Sequence, residues 1–209
     1  MTTPLSRIQE RERSALVADL QGLDGEQWRS PTLCGEWDVE DVVAHLGAAA
    51  STSMWAWLRS MVQARFDTDV HNRRLLDAFR GATPEETLEA FRTAGTIALP
   101  RQNSPAGLGE LVVHAEDVRR PLGVPHTYDK DGLLAVARFF ATRDFAVNSK
   151  SLAQGLTLVA TDADFREGSG PVVEGPVLAL VMVMAGRSVY LDELSGPGLP
   201  ELARRLHRG

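Results

Sequence analysis

The sequence has one cysteine, Cys34, in 209 residues. A single thiol excludes an internal disulfide framework and any zinc site built from several cysteines. Lysine is nearly missing: Lys130 and Lys150 are the only two, and arginine carries the rest of the positive charge. Such usage fits a GC-rich coding sequence. Positive charge is not in excess either, since 22 basic residues face 28 acidic ones for a net charge of -6. The chain therefore lacks the basic footprint a phosphate backbone requires, and nucleic acid is not an expected partner. Long apolar runs are absent. The longest, Val177 to Ala185, falls well short of the roughly 20 residues that span a bilayer. Residues 1–13 are polar and charged, without the apolar centre of a signal peptide. Together these absences predict a cytoplasmic protein with no membrane segment.

What is present reads as an ordinary globular chain, 44% hydrophobic and 24% charged. It is long enough to bury a core without covalent staples, as one large domain or a main domain with an appendage. Leu5, Ile8, Leu16, Val17 and Leu20 recur at helical spacing and predict a first helix over 5–22. A loop over 25–36 follows, with Pro31, Cys34 and Gly35. Asp38 is a good N-cap for a second helix with Glu40 and Asp41 in its first turn, its apolar pattern reaching about Arg65. A third helical region covers about 69–98, broken near Gly81 and restarted by Thr83-Pro84-Glu85-Glu86. Ser104-Pro105 opens a fourth helix that ends at Arg120, before Pro121, Gly123 and Pro125, and a fifth runs from Asp129 to Lys150. The pattern then changes. Residues 155–162 and part of 168–175 read as strands, 176–186 as a short buried helix, 188–191 as a last strand and 199–207 as a closing helix. The predicted architecture is a helical bundle over 1–150 followed by a small α/β domain over 151–209.

Glu110 and His114 lie four residues apart, so a helix stacks them on one face one turn apart. Imidazole and carboxylate together suit zinc, nickel, iron and similar ions. His45 supplies a third ligand if the second and fourth helices are neighbours. Three protein ligands leave open positions for water or substrate, the catalytic arrangement. Spacing alone leaves another reading open. Such a Glu/His pair is commonly an exposed helix pairing, and a histidine among Val42, Val43 and Leu46 is commonly a core-edge residue bonded to a carbonyl.

The stretch Ser30-Pro-Thr-Leu-Cys-Gly-Glu-Trp-Asp-Val-Glu-Asp-Val-Val-Ala-His-Leu46 resembles the N-terminal signature of the mycothiol-dependent maleylpyruvate isomerase family, a group of DinB-like metal-binding four-helix bundles. Gly109-Glu-Leu-Val-Val-His-Ala-Glu-Asp-Val-Arg-Arg120 is similar to the family's second metal motif. The resemblance covers about 5–150. It implies a mainly α fold, a DinB-like up-down four-helix bundle with a small, shortened C-terminal α/β appendage. It also implies a divalent metal, zinc or else nickel or another ion, held by His45, Glu110 and His114. Mycothiol is then the cosubstrate. A metal-activated thiolate attacks a small electrophile, giving isomerisation if the adduct collapses after bond rotation and S-transfer if it persists.

An arginine of the C-terminal domain takes part in the family's isomerase reaction, and Arg187 is the candidate here. Arg119 and Arg120 are candidate carboxylate partners, because guanidinium forks pair well with carboxylates. For all three the plainer reading is a cation complementing a helix end. Asp117 either orients a ligand or pairs with an arginine. Cys34 is expected to be a small buried hydrophobe, Trp37, Trp55 and Trp57 mostly core, and His71, His126 and His207 surface residues. Two other functions remain compatible with the same bundle: a non-catalytic metal or small-ligand binding protein, and an interaction protein whose bundle face is a dimer interface. The expected partners are a small-molecule electrophile and a low-molecular-weight thiol, with the chain a monomer or homodimer.

Overall fold

Capping chemistry sets most helix starts along the chain. The structure is a computed structural model describing residues 4–65, 67–97, 104–144 and 147–207; the side chains of Met54, Trp57, Thr68 and Asp69 lie outside the described set. The chain divides into two compact units, Met1–Thr127 and Tyr128–Gly209.

The first unit holds seven helices among the described residues: α1 (Pro4–Leu20), α2 (Gly25–Trp28), α3 (Val39–Ser51), α4 (Met54–Gln63), α5 (Thr68–Phe79), α6 (Pro84–Thr93) and α7 (Pro105–Leu122). α3 starts at Asp38, whose carboxylate accepts the Asp41 N–H at 2.8 Å. α6 and α7 start at Thr83 and Ser104, each followed by proline at the first helical position, as the sequence predicts. α7 ends at Gly123, whose left-handed backbone (φ 67°) suits glycine. Three details differ from expectation. The single turn α2 sits in the expected loop, closed by a reciprocal Asp24/Gln27 capping box. The helix expected from Trp37 to Arg65 is two helices, because Thr52 is extended and the Ser53 hydroxyl accepts the Ala56 N–H to cap a new start. Pro121 lies inside the last turn of α7 rather than beyond it.

α1 packs on α6 and α7, and α3 packs on the same two, so these four helices close a bundle; α5 covers α3, and α4 lies on α5. Leu16, Leu20, Leu46, Phe91, Leu108 and Leu111 fill the interior, each contributing about 1.5–3 kcal/mol by leaving water. A charged network ties α3 to its neighbours. The buried carboxylate of Glu40 accepts from Arg80 at 2.5 Å, Arg29 at 2.9 Å and the Thr87 hydroxyl at 2.9 Å. Asp41 beside it accepts from Arg80 at 2.7 Å and Arg73 at 3.3 Å.

The second unit comprises α8 (Lys130–Thr142), α9 (Ser149–Ala153), β1 (Thr157–Ala160), β2 (Arg166–Gly168), β3 (Val172–Gly175), α10 (Val177–Met184), a 3-10 helix (Ser188–Glu193) and α11 (Leu199–Leu206). The sheet order is β2-β1-β3, with β1 antiparallel to β2 and parallel to β3. The apolar run of the sequence is α10, buried almost throughout and packed against α8, α9, β1, β3 and the 3-10 helix. It is the core of this unit, which explains its lack of a polar face. The division falls at 127/128 rather than the expected 150, because α8 packs on α9, α10 and β2 of the second unit. The expected fifth helix stops at Thr142, where Arg143 turns extended. The expected strand at 188–191 is 3-10 helix, entered after Gly186 at φ 90°. The fold class stands as expected: mainly α, a four-helix bundle followed by an α/β part. No helix among the described residues is long and apolar enough to cross a membrane.

Asp162 joins three pieces of the second unit. Its carboxylate accepts the Val177 N–H at the start of α10 (2.8 Å) and the Lys130 ammonium at 2.6 Å. Burial opposes its charge, yet Lys130 and the Val177 N–H outweigh that and hold the carboxyl below its ordinary value. Asp162→Ala is expected to lower stability by about 1 kcal/mol, the worth of a helix cap. A depressed folded-state value contributes stability that is complete above the unfolded Asp value of about 3.9 and disappears as pH falls through the lower folded value. Urea unfolding of both proteins near neutrality and in acid checks this: the gap should narrow in acid, and a constant gap contradicts the assignment.

Candidate metal centre

Because α3 and α7 are neighbours, His45 on α3 meets Glu110 and His114 on α7. His45 Nε2 lies 2.8 Å from Glu110 Oε1, and His114 Nε2 lies 3.5 Å from the same oxygen. One donor atom from each of the three residues falls within 4.8 Å of the others. The two imidazoles meet edge to face at 4.9 Å, each only 8% exposed. Trp37 adds an aromatic wall, its ring 4.9 Å from His45 and 6.3 Å from His114.

Asp117, on the next turn of α7 and wholly buried, places its carboxylate 3.0 Å from His114 Nδ1. A carboxylate only accepts, so Nδ1 carries the proton there and Nε2 turns to Glu110. Burial opposes the charged imidazole of His114, but Asp117, Cys34 and Glu110 outweigh it and hold the ring well above its ordinary value. Burial likewise opposes ionisation of Glu110, and hydrogen bonds from His114 and His45 outweigh it, holding the carboxyl well below the usual range. The centre is thus a buried arrangement in which one carboxylate oxygen is shared by two imidazole nitrogens. Placed among these groups, a divalent cation would meet two imidazole nitrogens and a carboxylate oxygen, with a second carboxylate orienting His114 from behind. That donor set fits zinc or a similar ion.

Cys34, which the sequence predicts to be a small buried hydrophobe, is only partly buried and lies here. Its Sγ, a ring nitrogen of His114 and an oxygen of Asp117 lie within 4.8 Å of one another, so it borders the site rather than filling the core. Its loop is pinned to α7 by the Leu33 N–H donating to the Asp117 carbonyl at 3.1 Å. Within the loop Thr32 Oγ donates to the Trp37 carbonyl at 2.8 Å and accepts the Cys34 N–H at 3.1 Å. The signal available in the sequence was position alone: the loop directly precedes the helix that carries His45.

The three arginine candidates fare differently. Arg119 is 1% exposed and grips Asp19 of α1 through Nε at 2.8 Å and Nη2 at 2.7 Å. It braces α7 against α1, a correction to the expectation that it receives a substrate carboxylate. Arg120 is exposed. Arg187 belongs to the second unit, where Nη1 donates to the Ala185 carbonyl at 2.6 Å and so closes the end of α10, the plainer role foreseen for it. Two other groups need correction. His71 is buried and its Nδ1 lies 2.9 Å from Ser60 Oγ, while His126 pairs at 2.7 Å with Glu12; of the three expected surface histidines only His207 is exposed. Trp55 is 82% exposed and Trp37 half-buried, while Trp28 is the tryptophan of the core; the Trp57 side chain lies outside the described residues.

Residues 10–101 match the family described as the mycothiol maleylpyruvate isomerase N-terminal domain. This segment belongs to that family. The isomerase-family match includes Cys34, Trp37 and His45 and stops before α7, which carries Glu110 and His114. Two solved structures share the architecture over 93% of this chain and 93% of their own. One is the mycothiol-dependent maleylpyruvate isomerase in a histidine-to-alanine mutant form, with a TM-score of 0.60 and 16% identity. The other is the mycothiol-dependent maleylpyruvate isomerase, with a TM-score of 0.56 and 16% identity. At that identity the likeness is one of fold. A comparison with curated proteins finds no match.

Proposed function

We propose that this chain is a cytoplasmic metal-dependent enzyme that uses a low-molecular-weight thiol, mycothiol, against a small electrophile, as an isomerase or an S-transferase. The observation that carries the reading is the convergence of His45, Glu110 and His114 donor atoms within 4.8 Å, backed by Asp117. A divalent ion bound there would supply a Lewis-acidic position at which a thiol gives up its proton near neutral pH.

The chain's own residues account for the remaining requirements. His45, Glu110 and His114 would hold the ion. Asp117 keeps the His114 proton on Nδ1, so that Nε2 offers its lone pair. Trp37 lies against the imidazoles on one side. With Arg119 committed to Asp19, a carboxylate on the electrophile must find its cation elsewhere. The reaction class is addition of a thiolate to an unsaturated carbon, ending in cis–trans isomerisation or in a stable thioether.

Cobalt(II) substitution tests this reading. Cobalt-loaded wild type should develop a sulfur-to-cobalt charge-transfer band when mycothiol is added, and thiol-dependent turnover of an unsaturated diacid should require the metal. A cobalt spectrum indifferent to thiol would instead leave a non-catalytic metal-binding protein.

A further inference from the structure

We propose that Cys34 is a positioning residue of the metal centre, holding the His114 ring from the side occupied by Asp117. This inference rests on the reading that His45, Glu110 and His114 hold the ion. Two groupings of potential donors occur among the described residues, and they share only His114: His45 with Glu110 and His114, and Cys34 with His114 and Asp117. With the ion on His45, Glu110 and His114, Cys34 stands beside a ligand rather than among the ligands.

The placement is built into the loop. The main chain of Leu33 donates to the main chain of Asp117, the residue whose side chain orients His114. Thr32 Oγ accepts the Cys34 N–H, and the Cys34 carbonyl accepts the Trp37 N–H at 3.2 Å. One loop thus brings Cys34 Sγ within 4.8 Å of a His114 ring nitrogen and Trp37 against His45. Asp117 comes from the same helix as His114 and constrains the ring from its own backbone. Cys34 comes from a different segment, so that side of the ring is held by two separately anchored parts of the chain. Outer partners of this kind typically change metal affinity by about 10–100-fold.

The test is zinc(II) and cobalt(II) affinity by chelator competition for wild type, Cys34→Ala and Cys34→Ser, with melting of each metal-free protein. Cys34→Ala should bind about 10-fold more weakly, with metal-free melting close to wild type. Cys34→Ser should recover most of the loss, because a hydroxyl donates and accepts in the same place; it also carries the test should the alanine variant fail to fold. Cobalt-loaded wild type without added thiol should show no sulfur charge-transfer band. Equal affinity of wild type and Cys34→Ala would reduce Cys34 to filler and overturn the inference alone. A cobalt–sulfur band lost in Cys34→Ala would overturn it by making Cys34 a ligand. Folded wild type that takes up neither ion would overturn the metal reading and this inference together.

Discussion

Replacing Glu40 by alanine is expected to destabilise the first unit by about 3–5 kcal/mol, the range for breaking a buried ion pair from one side. Glu40 is 1% exposed and accepts from Arg80, Arg29 and the Thr87 hydroxyl. Its removal leaves the Arg80 guanidinium with Asp41 alone and the Thr87 hydroxyl without its carboxylate. α3 would lose its polar tie to α6 and keep only the Asp41 tie to the end of α5, and α3 carries His45. Glu40→Gln should lose less, since an amide oxygen still accepts from Thr87. Removing the exposed Glu89–Arg92 pair on α6 should barely register, because exposed pairs are weak. Denaturant unfolding of these variants checks the order; a Glu40→Ala protein as stable as the Glu89 variant would contradict it.

Glu110→Ala is the second large effect, and it falls on metal affinity. Glu110 Oε1 is the oxygen shared by both imidazoles, and nothing else in the trio is a carboxylate. Its loss should weaken zinc binding by more than the roughly 10–100-fold that removal of an orienting partner costs. Asp117→Asn should stay within that smaller range, since an amide still accepts the His114 Nδ1 proton through its oxygen. Competition with a chromophoric chelator ranks the two. An Asp117 variant that loses more affinity than the Glu110 variant would reverse the assigned roles.

The helices of the first unit were legible because their starts are local chemistry. Asp38, Thr83-Pro84 and Ser104-Pro105 each state a helix entry within four residues, and the structure uses all three. Glu110 and His114 were legible for a related reason, as helical spacing fixes their shared face. What escaped depends on contacts between distant segments. Nothing local says that α8 packs on α10, so the division at 127/128 is not visible in the sequence. Cys34 carries no neighbouring histidine in sequence; only the Leu33–Asp117 bond brings its loop to α7. Arg119 looked like a free cation one turn past His114, and the packing of α1 on α7 commits it to Asp19. The segment 188–191 has strand-like composition, but the positive φ at Gly186 turns it into 3-10 helix instead.

The most direct measurement is elemental metal content of protein purified without a metal-affinity tag, for wild type and for His114→Ala, with melting to show that both are folded. Near one equivalent of a divalent metal in the wild type, lost in the variant, is the expected result. Folded wild type that holds no metal, even after incubation with zinc or nickel, would contradict the account at its centre.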